Sequence, residues 1–156
     1  MKRLLLIIVL LATMVFPAGV FAADAMVVTK FDYKGDNLRV IKIDWVDSPA
    51  LTLESQFSGI DSWIEGWYLF KVQTVPGGVG VTQPDDNYDI TITDAEGHDI
   101  VGGELANRDE ANTEEAVPMI DLVYGPQPNI SSWTITVSGQ TTATATGEIY
   151  LFFARY

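Results

Sequence analysis

One histidine, no cysteine and a wide scatter of carboxylates set the range of chemistry open to this chain. His98 cannot build a histidine metal triad by itself, and a Ser-His-Asp arrangement would have to use this single ring just after a turn. Thiol catalysis and thiolate metal sites are ruled out. Gly77-Gly78-Val79-Gly80 lacks the lysine and the strand-to-helix setting that let a glycine loop cradle phosphate. Carboxylate pairs for glycoside hydrolysis are available in number, but spacing singles out none of them. No catalytic residue and no cofactor is therefore expected.

Two groups remain as ligand candidates. Asp94, Glu96 and Asp99 space three carboxylates around Gly97, as oxygen-ligand loops for calcium do. Calcium takes about six to eight oxygens, so a solvated turn capped by Asp94 is the simpler reading. Trp63 and Trp67 flank Ile64-Glu65-Gly66 beside Tyr68, an arrangement suited to a carbohydrate-binding face. Packing is the simpler reading here too, because Trp45 and Trp133 already fall on apolar strand faces.

The elements that would position these residues are strands. Asn87 to Leu105 reads as strand, turn and return strand: Tyr88, Ile90 and Ile92 alternate with Asp89, Thr91 and Thr93, Asp94-Ala95-Glu96-Gly97 turns, and Gly102-Gly103 ends the return. Ahead of it come Met26 to Lys34, Leu38 to Val46 with Ile41, Ile43 and Trp45 on one face, and Ala50 to Gly59, which reads as a short strand with a loose loop as the alternative. Gly66 to Val75 follows, with Tyr68, Phe70 and Val72 pointing one way and Trp67, Leu69 and Lys71 the other. Ala106 to Ala116 is an acidic excursion with room for one helical turn, and Pro118 to Tyr124 returns as a strand. Ser132 to Gly139 and Gly147 to Arg155 close the chain as a second hairpin, the last strand apolar enough on both faces to be central. About eight strands with Gly/Pro turns predict an all-β antiparallel sandwich or jelly roll, with a small β-barrel as the alternative.

Lys2 and Arg3, the apolar run from Leu4 and the small residues after Pro17 have the pattern of a signal peptide, with cleavage after Val20-Phe21-Ala22. The run is too short for a spanning helix, which needs roughly 20 apolar residues. Residues 1–22 are thus expected to be a signal helix and 23–156 a single β domain, exported to a periplasmic or extracellular compartment. Removal of the leader leaves 7 basic against 21 acidic residues. Nucleic acid is a poor partner for that charge, and no membrane attachment is expected after cleavage. Twelve of the acids lie between Asp85 and Asp121, with Arg108 as the sole Lys or Arg among them.

GWYLFKVQTVPGG, then DNYDITITDAEGHDIVGGELANRDEANTEEAVP, then WTITVSG and TGEIYLFF span Gly66 to Phe153. This pattern resembles small, uncharacterised β proteins found among the virion-structure genes of tailed phages and prophages. The markers are Asn87-Tyr88-Asp89, the Asp94 to Gly97 turn, Gly102-Gly103 and Asn107-Arg108. The resemblance implies a non-enzymatic structural or attachment module that assembles in copies. Virion proteins assembled in the cytoplasm carry no export signal, so the leader points to a host-exported relative or a redeployed module. The expected function is an exported structural or interaction module with a protein partner or self-association. A carbohydrate-binding module using Trp63 and Trp67 is the alternative, and a carboxylate glycoside hydrolase a second one.

Overall fold

The computed structural model describes residues 25–33, 37–47, 50–52, 59–77, 81–128 and 132–155. The expected leader, residues 1–22, lies outside them, as do most of the Lys34 to Asn37 turn and residues 53–58. Strands β1 (Ala25–Tyr33), β2 (Leu38–Val46) and β3 (Ala50–Thr52) come first, then a short helix α1 (Ile60–Ile64), then β4 (Tyr68–Pro76) and β5 (Asp89–Thr93). Short strands β6 (Glu114–Ala116), β7 (Met119–Ile120), β8 (Val123–Tyr124) and β9 (Gln127–Pro128) precede β10 (Thr134–Ser138) and β11 (Thr146–Ala154). All the strand pairs among the described residues are antiparallel.

The larger sheet has the order β1-β2-β11-β4-β6, with β9 also on β4; a second sheet has the order β3-β10-β5, and β7-β8 is a separate ribbon. Period-two alternation drives this arrangement. Ile41, Ile43 and Trp45 of β2 and Ile149, Leu151 and Phe153 of β11 enter one buried cluster with Ile90, Ile92, Ile135 and Val137 of the second sheet. Two aromatic pairs join the larger sheet to residues just before strands of the second: Trp133, ahead of β10, stacks on Phe153 at 5.6 Å, and Trp45 meets Tyr88, ahead of β5, at 5.7 Å. Burial pushes the Tyr88 hydroxyl up to about 12. Gly147 sits opposite Trp45 in the ladder, and a Cβ there would come within 2.6 Å of the indole.

Five sequence expectations are corrected. Ser132 to Gly139 and Gly147 to Arg155 do not form a hairpin: β10 lies in the small sheet and β11 in the large one, central between β2 and β4. Each strand buries its apolar face in the shared cluster from its own sheet, where a hairpin would set the two side by side in one. The return strand after Gly97 is absent: the chain bridges at Thr93–Asp99, then turns through residues 100–105. Asp99 causes this, its carboxylate accepting the N–H groups of Val101 and Gly103.

Pro118 to Tyr124 is a hairpin, β7 and β8, and not one strand. Within β4, Lys71 faces Phe152 while Leu69 faces Phe153, so Phe70 is a bulge residue and the alternation changes phase. Leu69 and Val72 consequently both enter the core, where the sequence pattern set them on opposite faces. The helical turn lies at Ile60–Ile64, burying Ile60 and Ile64, and not within 106–116, where β6 adds to β4 instead.

On the outer face of the large sheet Lys42 holds Asp44 and Glu148, each at 2.7 Å, so its ammonium is kept charged well above the usual lysine range, chiefly by the Asp44 hydrogen bond. A second polar tie joins distant loops. The Asp85 carboxylate accepts the backbone N–H and the hydroxyl of both Thr141 and Thr142, clasping the segment before β5 to the β10–β11 crossover. These bonds, led by the Thr142 hydroxyl, hold the Asp85 carboxyl far below the usual carboxylate range.

Gly147→Ala is expected to lower unfolding free energy by about 1–3 kcal/mol through overpacking against Trp45; an unchanged denaturant midpoint would show that the indole moves aside at no cost. Asp85→Ala is expected to lower the melting temperature at neutral pH. The lost contribution belongs to an ionised group whose folded pKa is depressed: it is fully present above the unfolded value of about 3.9 and declines as pH falls below that towards the folded one. Melts of both proteins from neutral pH down should therefore converge in strong acid, and a gap constant with pH would contradict the clasp.

Candidate functional site

The β7–β8 hairpin is built on a two-residue turn, Asp121-Leu122, in which both residues have positive φ, 51° and 64°. This is the backbone sense of a type I′ turn, for which Asn-Gly is the usual choice. A leucine in the left-handed region costs about 1–2 kcal/mol. The strain has no packing return at the tip, because Leu122 is 87% exposed, with Val123 at 66% and Tyr124 at 62%. Val117, just before the ribbon, is exposed as well.

The ribbon is tethered at its base. Met119 N–H donates to the Val101 carbonyl at 3.2 Å, and Gly125 N–H to the Pro118 carbonyl at 2.9 Å. Gly102, at φ 70°, packs directly beneath, since a Cβ there would overlap the Met119 carbonyl. Between the ribbon and the Asp94 turn lies a cleft of about 660 Å³. Met119, Asp121 and Leu122 line it from the ribbon, and Asp94, His98 and Asp99 from the β5 turn; Ile100 and Trp133 add apolar surface.

The acids of the cleft are largely engaged by backbone. Asp94 Oδ1 accepts the N–H of Glu96 at 3.0 Å and of His98 at 2.8 Å, and its Oδ2 is 3.4 Å from His98 Nδ1. Those bonds, led by the His98 N–H, hold the Asp94 carboxyl below the usual range. Asp99 caps its own turn with both oxygens, at 3.0 and 2.7 Å. The expected calcium candidates Asp94, Glu96 and Asp99 are thus neighbours along a turn, two of them occupied by N–H donors. Among the described residues no three His, Cys, Asp or Glu side chains gather as a metal site.

The other expected pair lies elsewhere. Trp63 is in α1 and packs against the core, and Trp67, just after it, is 7% exposed. Cations lie over both rings: the Arg39 guanidinium carbon is 4.4 Å from the Trp67 ring centroid and 4.8 Å from that of Trp63, and Lys30 Nζ is 5.3 Å from Trp63. The structure brings these two tryptophans together around the Arg39 guanidinium of β2. The hairpin itself escaped the sequence reading because its turn contains neither Gly nor Asn. A signal was present in the broken alternation of Met119, Ile120, Leu122, Val123 and Tyr124.

Replacing the turn by D121N/L122G is expected to raise unfolding free energy by about 1 kcal/mol, because Asn-Gly adopts positive φ with little strain. A fall in the denaturant midpoint would mean that Leu122 stabilises the monomer. Comparison of the chain with protein-family models, with curated proteins and with solved structures found no match.

Proposed function

We propose that this chain is a non-enzymatic, exported interaction module, a two-layer antiparallel β-sandwich that grips a protein partner with the β7–β8 hairpin. The sandwich reading rests on the buried cluster that, among the described residues, takes apolar faces from both sheets. One observation carries the function: Leu122, Val123 and Tyr124 form an exposed apolar tip on an otherwise strongly acidic chain, held out by a strained turn. Strain that persists without internal benefit is a mark of functional sites, and contiguous exposed apolar surface is a mark of protein contacts. The cleft beside the tip offers a recess for a partner side chain, and Asp121 and Glu104 border the apolar residues with negative charge, Glu104 by way of the Tyr124 hydroxyl at 3.4 Å. The preferred partner surface is accordingly apolar with basic flanks.

A photo-crosslinking residue placed at position 122 of the full chain, in the cells that produce it, is expected to yield a discrete adduct that the same probe at exposed Glu110 does not. Equal adducts from both positions, or none from position 122, would remove the hairpin from the contact. Soluble oligosaccharide is expected to leave tryptophan fluorescence unchanged; a saturable quench abolished by Trp67→Ala would favour the carbohydrate-binding alternative.

A further inference from the structure

The larger sheet ends on one side in β1, and that edge differs from the other edges in the described residues. At the opposite side the sheet finishes in β6, of three residues, and β9, of two with a proline. In the small sheet β3 is three residues long, while the free side of β5 is bonded by Ile100 N–H and by the Leu105 carbonyl. β1 runs nine residues in unbroken register against β2, without glycine, proline or bulge, and no described strand pairs with its other edge. Natural edges are ordinarily shortened, bulged, covered or loaded with charge. Here the outward residues include Val27, 59% exposed, and Phe31, 39% exposed, while Met26 and Val28 of the same strand are buried in the core.

Charge also favours this edge. Residues 25–46 carry Lys30, Lys34, Arg39 and Lys42 against Asp32, Asp36 and Asp44, a small positive balance in a chain whose net charge is −12. Two copies meeting at β1 would join the parts of the molecule that repel each other least.

We propose that β1 pairs antiparallel with β1 of a second copy, about a two-fold axis at Thr29. The register follows from the pattern. A shift by one residue would set core-facing side chains of one copy beside solvent-facing ones of the other. Of the even registers, the one centred on Thr29 overlaps all nine residues and places Val27 opposite Phe31 of the second copy, twice. Moving the axis to Lys30 opposes two lysines, and moving it to Val28 separates Val27 from Phe31. The product is one continuous sheet running through both copies, and the contact does not involve the β7–β8 hairpin, so it stands or falls separately from the hairpin reading.

The test is the light-scattering mass of the protein expressed from its full sequence and purified as its host processes it, over a range of concentration and salt. The wild-type mass is expected to double with concentration, and more readily at high salt, because salt screens the residual repulsion between acidic copies. V27K/F31K is expected to weaken the dimer by more than about tenfold, since like charges then face each other in both pairs. V27K/F31E is expected to restore it, because each introduced lysine then faces an introduced glutamate. Circular-dichroism melts close to wild type confirm that these exposed positions leave the fold intact. A monomer at every concentration, a dimer that V27K/F31K does not weaken, or a V27K/F31E variant no tighter than V27K/F31K would overturn the proposal.

Discussion

The indole of Trp45 occupies the space that a side chain at position 147 would need, and the rest of the core depends on that exchange. Gly147 starts the inner row of the central strand β11, so the glycine lets Trp45 reach across its own sheet and meet Tyr88 beside the second one. Trp133 and Phe153 make the second aromatic junction between the sheets. With no cysteine in the chain, cohesion of the two sheets rests on such burial and on a few polar ties. Large aromatic rings suit this role, since each removes much apolar area from water for few lost rotamers.

Alternation along single strands was legible in the sequence, because one buried face writes a period of two wherever the ladder is regular. Leu38 to Val46 has the bounds read from its sequence, and Tyr88, Ile90 and Ile92 are all buried as their spacing implied. What failed were features decided between strands. The bulge at Phe70 depends on β11 across the ladder, and nothing within β4 announces it. The assignment of β10 and β11 to different sheets depends on which faces must share a core. Local chemistry misled at the Asp121-Leu122 turn, where a leucine, which ordinarily avoids positive φ, adopts it.

The carboxylates show the same division. In sequence, Asp94, Glu96 and Asp99 were a ligand candidate; in the structure Asp94 and Asp99 are turn makers whose oxygens receive backbone N–H groups. Asp109 and Asp85 act in the same way, the first on Ala111 and Asn112 and the second across two loops. Much of the acidity between Asp85 and Asp121 thus replaces regular ladder bonding in a region poor in long strands. Trp63 and Trp67 were likewise recognisable as a cluster by spacing, but Arg39, which lies over both rings, is in β2 and could be placed there only by the fold.

The position of β11 has a consequence for the order in which the molecule can form. It follows every other described strand in the chain, yet it lies between β2 and β4 and bonds to both along nearly its whole length. A chain delivered N-terminus first, from a ribosome or through a translocation channel, would hold β1–β2 and β4 as separate pieces with unsatisfied edges until Thr146 to Ala154 emerged. Closure is therefore late and non-local, a topology that folds slowly and keeps the partial chain open. Such a chain stays threadable until its far end is free, and the same lateness leaves its strand edges exposed to other chains in the interval.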